Sequence, residues 1–181
     1  MKFSKTKKLV LSAMFLALGM LLPLFVGHLI PMGWILLPMH VPVLLCGFIC
    51  GGPWGLLVGA VTPLLSSVIT GMPALYPSAV AMAFELAAYG LLAGLFYNLF
   101  PKNIGFIFVS LILAMIGGRV VWSLVSLVLY GIAGTVFTWG DILSGAVVMV
   151  LPGIIIQLVL IPAIMIALQL TQKKNEHPKA I

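Results

Sequence analysis

Acidic residues are almost missing from this chain: three Asp and Glu stand among 181 positions, and charged residues of all types make up 7%. A water-soluble domain carries about 25% charged residues because its surface must be wetted. This sequence cannot cover such a surface, so a soluble fold is excluded. The apolar runs are continuous rather than alternating with polar residues, which excludes a lipid-facing β-barrel. No phosphate-cradling GxxxxGK[ST] run occurs, so the chain does not hydrolyse ATP by itself. No HExxH zinc pair occurs either. Cysteine is sparse: Cys46 and Cys50 stand one helical turn apart, a poor geometry for a disulfide and a weak metal site, and they read as buried thiols. A segment resembling an ion-selectivity filter is also lacking. Catalytic residues, metal and cofactor are not expected.

What fills the space is apolar. Hydrophobic residues make up 63% of the chain, and the mean hydropathy is +1.30. A spanning helix needs roughly 20 apolar residues, which leaves room for about six spans and no soluble domain. The expectation is an all-α polytopic membrane protein, one domain over residues 1–181. The first helix is predicted from about Leu9 to Gly27, with no cleavage site to make it a signal peptide. A second, short for a span, runs from about Pro38 to the Gly51-Gly52-Pro53 break, and a third from Trp54 to Thr70. The two prolines of the Gly71–Pro77 stretch cannot continue a helix. The fourth helix covers about Ser78 to Phe100, the fifth Ile104 to Tyr130, and the sixth, capped by Asp141, continues to about Leu170. Trp34, Tyr76 and Trp139 fall in connections, where aromatic residues anchor at the lipid interface.

The net charge of +6 is not a nucleic-acid footprint. Lys2, Lys5, Lys7 and Lys8 precede the first helix, and Lys173, Lys174 and Lys179 follow the last. Such clusters mark cytoplasmic ends. Six spans place both termini and the Pro101-Lys102-Asn103 turn on that side.

An ionisable residue inside a span is costly and is a functional candidate by default. Two qualify, Glu85 and Arg119. On the fifth helix Arg119, Ser123, Ser126 and Tyr130 recur at offsets of 4, 7 and 11, which puts them on one face. That stripe runs from mid-membrane to the outer end, with Trp122 beside it. Tyr89 lies one turn from Glu85, His40 near the outer end of the second helix, and Gln157 within the sixth. Together they point to one polar cavity opening outward. On the third helix Gly55, Gly59, Thr62 and Ser66 make a stripe of small and polar residues suited to close packing or to a cavity wall. A competing reading makes Glu85 and Arg119 a structural ion pair locking the fourth and fifth helices, with the serines bonded to carbonyls one turn back.

The segment from Pro38 to Ser67, PMHVPVLLCGFICGGPWGLLVGAVTPLLSS with its last two residues Ser66 and Ser67, resembles the S-components of energy-coupling factor (ECF) transporters. The likeness extends through Thr70-Gly-Met-Pro73, Ala81-Met-Ala-Phe-Glu-Leu86 and the six-helix layout. The family consists of small membrane proteins of the bacterial plasma membrane that bind vitamins and related micronutrients. It implies as partners a shared transmembrane scaffold subunit and two ATPases, which fits the missing ATP site. Ala13-Met-Phe-Leu-Ala17 matches the family's Ala-x-x-x-Ala scaffold-docking pattern on the first helix. The resemblance is greatest to the pantothenate-type group, which is related to carriers of folate, pyridoxine and cobalamin precursors. It implies capture from outside, beneath the loop between helices one and two, and then tipping against the scaffold. An arginine binds a carboxylate bidentately, and Arg119 is the one intramembrane candidate. A flat neutral vitamin would instead stack on Trp122, Tyr89 or Tyr76. The alternative outside the family is a solitary permease or a non-transport membrane scaffold.

Overall fold

Apolar runs of this length have one stable form in lipid, the helix, because only there does every backbone group of the segment find its partner within it. The structure, a computed structural model, describes residues 3–29, 36–101, 103–134, 138, 140 and 151–176, with no side-chain placement beyond Thr171. Its order is α1 (Lys5–Leu29), α2 (His40–Cys50), α3 (Gly52–Thr70), a single π-type turn (Leu75–Ala79), α4 (Val80–Leu99), α5 (Ile104–Ile132) and α6 (Leu151–Glu176). There is no strand among the described residues. The expectations attached to Lys2, Trp34, Lys102, Trp139, Asp141 and Lys179, and to the side chains of Lys173 and Lys174, fall outside the described residues.

Five of the helices are long and apolar enough to cross a bilayer. The exception is α2. Its 11 residues extend about 16 Å, roughly half of a hydrocarbon core about 30 Å thick. A half-length helix survives at membrane depth only where protein surrounds its open ends. Every residue of α2 except Ile49 is buried, enclosed by α1, α3, α4 and α6.

Other boundaries shift for local reasons. The helix α1 starts at Lys5 rather than Leu9, where the Ser4 hydroxyl accepts from the Lys7 amide at 3.3 Å. The start of α4 moves from Ser78 to Val80, after the turn closed by Ala79 N–H on the Ala74 carbonyl at 2.9 Å. At its far end α5 runs on to Ile132.

At the centre stands α4, packed on α2, α3 and α5. Gly55 and Gly90 meet backbone to backbone, and a Cβ on either would overlap the other's main chain. Small residues at such crossings let helices approach closely in lipid, where no hydrophobic drive brings them together. The two polar members of the α3 stripe are also packing residues. Thr62 Oγ1 donates to the Val58 carbonyl at 2.6 Å, and Ser66 Oγ to the Met72 carbonyl at 3.0 Å. Gly55, Gly59 and Thr62 of the stripe form a helix seam with α4 and α1.

The pairings give the directions. Gly59 lies against Leu86 and Gly52 against Leu91 and Leu95, so α3 and α4 are antiparallel. Glu85 meets Arg119 while Phe100 stacks on Phe106, so α4 and α5 are antiparallel too. Gly51 sits beside Lys8 and Gly19 against Thr62, which aligns α1 with α3.

A buried charge cluster as candidate functional site

Glu85 on α4 is 1% exposed and receives Arg119 of α5, with Oε1 and Nη1 3.0 Å apart. Desolvating either charge alone costs several kcal/mol, so two such residues on adjacent helices are driven together. The contact is an ion pair without an aligned hydrogen bond, because Oε1 has no N–H or O–H pointing at it. His40 opens α2 just after Leu37, whose positive φ of 51° turns the chain into the helix. The imidazole Nε2 stands 3.7 Å from the same Oε1, beyond hydrogen-bond reach. Tyr89, one turn on from Glu85, packs edge-on against the imidazole at 5.4 Å and 61°. Its ring fits because position 118 is glycine, where a Cβ would collide with it.

This cluster is under-satisfied. His40 Nδ1 and Nε2, Glu85 Oε1, and Arg119 Nε and Nη2 are all buried with no hydrogen-bond partner among the described residues. A buried polar group left unpaired costs about 1–3 kcal/mol, and native interiors hold few of them. Arg119 faces Glu85 with Nη1, and its Nε–Nη2 edge, two parallel donors on one side of a planar group, has no hydrogen-bond partner among the described residues. That edge matches the two oxygens of a carboxylate.

The remaining expected residues fall as follows. Ser126, two turns beyond Arg119, is fully buried, and its hydroxyl has no partner among the described residues. Gln157 of α6 is 1% exposed, and its Nε2 likewise has no partner among them. It belongs to the inward stripe Gly153, Gln157, Ile161 and Met165. Gln169, next along that stripe, donates to the Tyr97 hydroxyl of α4 at 3.0 Å. Twelve residues back along each helix, about 18 Å, stand Gln157 and Glu85. Ser123 is half-buried. Trp122 is half-buried beside Arg119, whose guanidinium carbon lies 5.9 Å from the indole centre. Tyr130 leaves the polar wall and meets Ser78 at 3.3 Å.

Sequence reasoning missed the clasp that this last contact belongs to. The Tyr76 hydroxyl donates to the Leu129 carbonyl at 3.0 Å, so the turn before α4 is fastened to the end of α5 at two points. Tyr76 is thus a tie between elements as well as an interfacial aromatic. Pro73 and Pro77 flagged the turn, but nothing in the sequence pointed to its partner.

The family model for the ECF transporter, substrate-specific component, matches residues 7–165. The chain belongs to this family. No curated protein and no solved structure matches it. As a substrate-specific component it is the substrate-binding subunit of an ECF transporter, a transport component rather than an enzyme, and such components associate with an ECF module. Its apolar helices make it an integral membrane protein.

Proposed function

We propose that this substrate-specific component captures a small carboxylate-bearing vitamin, pantothenate in the first place, for uptake across the cell membrane. The observation that carries the reading is the buried Nε–Nη2 edge of Arg119, which has no hydrogen-bond partner among the described residues. Ser126, Ser123 and Gln157 supply the hydroxyls and amide that suit the hydroxyl and amide groups of pantothenate, and Glu85, His40, Tyr89 and Trp122 frame the charge. Neutral flat vitamins need an open aromatic face. Tyr89 is 1% exposed and already packed against His40, which leaves them the half-buried Trp122 and the exposed Tyr76. Folate, pyridoxine and a cobalamin precursor are the other substrates to test. The partners in this reading are a transmembrane scaffold subunit and two ATPases. Ala13 and Ala17 lie on the exposed side of α1, opposite the buried Ser12, Phe15 and Gly19.

Arg119→Lys tests the site directly. A lysine keeps the positive charge beside Glu85 but has no planar edge. The purified protein is expected to stay folded while its dissociation constant for pantothenate rises by about two orders of magnitude, the loss of one or two charged hydrogen bonds. The alcohol analogue, which lacks the carboxylate, should bind both proteins equally weakly. Unchanged pantothenate affinity in Arg119→Lys would remove the carboxylate from Arg119. Mass spectrometry of small molecules retained by the purified protein would then name the substrate.

A further inference from the structure

We propose that the substrate carboxylate enters together with one proton, which is taken up by His40 with Glu85 as its counter-ion. The inference rests on the carboxylate reading above and extends it. In the empty site Glu85 and Arg119 cancel each other at 3.0 Å. A carboxylate docking on the Nε–Nη2 edge adds a second negative charge to a site whose Glu85 and His40 are each 1% exposed. An uncompensated charge at such a place costs several kcal/mol.

One side chain is placed to restore neutrality. His40 has both ring nitrogens buried without partners among the described residues, and Nε2 is 3.7 Å from Glu85 Oε1. A buried imidazolium with neither N–H bonded is poorly sustained. The edge contact with Tyr89 keeps that ring in place. Among the described residues the one other base at the ring is Glu85 itself, which Arg119 holds as its counter-ion at 3.0 Å. The helix α4 brings Glu85 and Tyr89 to the ring and α5 brings Arg119, while α3 has no ionisable residue. On α1, Lys8 lies by Gly51 at the other end of α2, with Lys5 and Lys7 on the same first turn, and the exposed His28 is bonded to the Leu24 carbonyl at 2.7 Å. On α2 itself Cys46 donates to Ser12, and α6 has no ionisable residue before Lys173.

The step balances without breaking a ligand bond. One proton passes from water to Nε2, and the imidazolium turns to Glu85. Glu85 then bridges His40 and Arg119 as the carboxylate takes the free edge. Two positive charges face two negative ones.

The test uses the full chain in lipid nanodiscs, with pantothenate as probe. Calorimetric titration at pH 7.5 in buffers of different ionisation enthalpy should show uptake of about one proton per pantothenate. The dissociation constant should then rise about tenfold per pH unit, as one linked proton requires. With ring-15N histidine, the chain's three histidines allow direct observation. One ring, absent from the spectrum of His40→Gln, should change from neutral to imidazolium on adding pantothenate. Binding without proton uptake, or uptake that leaves the His40 ring nitrogens unchanged, overturns the relay and leaves the Arg119–carboxylate contact standing. No binding heat at any pH from 6 to 8 overturns both.

Discussion

Glu85 and Arg119 are the two ionisable residues that composition singles out within spans, and the structure brings them together. Helix periodicity put each on a face. It could not say that the faces meet, because the crossing of α4 and α5 depends on which small residues face each other. The pair leads to a test of stability separate from ligand binding. Removing one partner of a buried pair leaves a bare charge and costs about 3–5 kcal/mol, whereas removing both often costs little. Ligand-free Glu85→Gln and Arg119→Met should each unfold at markedly lower temperature than the parent, and the double variant should regain most of the loss. Losses that simply add in the double variant would mean that the two side chains do not interact. The unpartnered atoms of His40, Ser126 and Gln157 belong to a different kind of information. Sequence marks a polar residue as unusual in a span, but only coordinates show whether a carbonyl one turn back has satisfied it. Thr62 and Ser110 are so satisfied, and Ser126 is not.

Among the elements, α1, α3, α4 and α5 were legible from apolar runs and proline-glycine punctuation to within a few residues. The half-length α2 was legible as short, but its role was not. Its near-complete burial comes from four neighbouring helices that no local pattern encodes. The same holds for the α3 stripe, where Gly55 and Thr62 serve contacts with α4 and α1. The helix α1 is the opposite case. It has the least buried spanning window, at 17%, and its exposed side carries Val10, Ala13, Met14 and Ala17. In lipid an apolar helix face needs no cover, so exposure alone indicates no partner. The paired alanines do, since they leave a shallow surface that another helix can approach closely. Replacing both Ala13 and Ala17 with Trp should abolish co-purification with the scaffold and ATPase subunits, and uptake with it. Pantothenate binding to the isolated subunit should stay within a few-fold of the parent. Uptake that survives the double change would place the docking surface elsewhere.

At the scale of the whole molecule, the helix directions collect the basic residues at one end. Lys8 of α1 lies beside the Gly51 turn that ends α2, with Lys5 and Lys7 on the same first turn. Gly94 of α4 lies against Gly52 and Gly47, so α4 runs toward that end and finishes at Leu99, three residues before Lys102. Gln169 of α6 bonds Tyr97 near the same end of α4, and Lys173 and Lys174 follow it in sequence. The Tyr76–Leu129 and Ser78–Tyr130 contacts occupy the opposite end. Among the described residues, no spanning helix places a lysine there. Lysine-rich ends stay on the cytoplasmic side during insertion, so the start of α1, the Lys102 turn and the end of α6 are expected to face the cytoplasm, with the clasp outside. Single cysteines at Lys102→Cys and Asn175→Cys test this, against a background whose native thiols are buried. A membrane-impermeant maleimide should leave both unlabelled in intact cells and label both after permeabilisation. A third probe, Met72→Cys in the exposed turn before α4, should label without permeabilisation. Labelling of position 102 or 175 from outside would invert the molecule, and would turn the His40–Glu85–Arg119 cluster toward the cytoplasm, where capture for uptake could not begin.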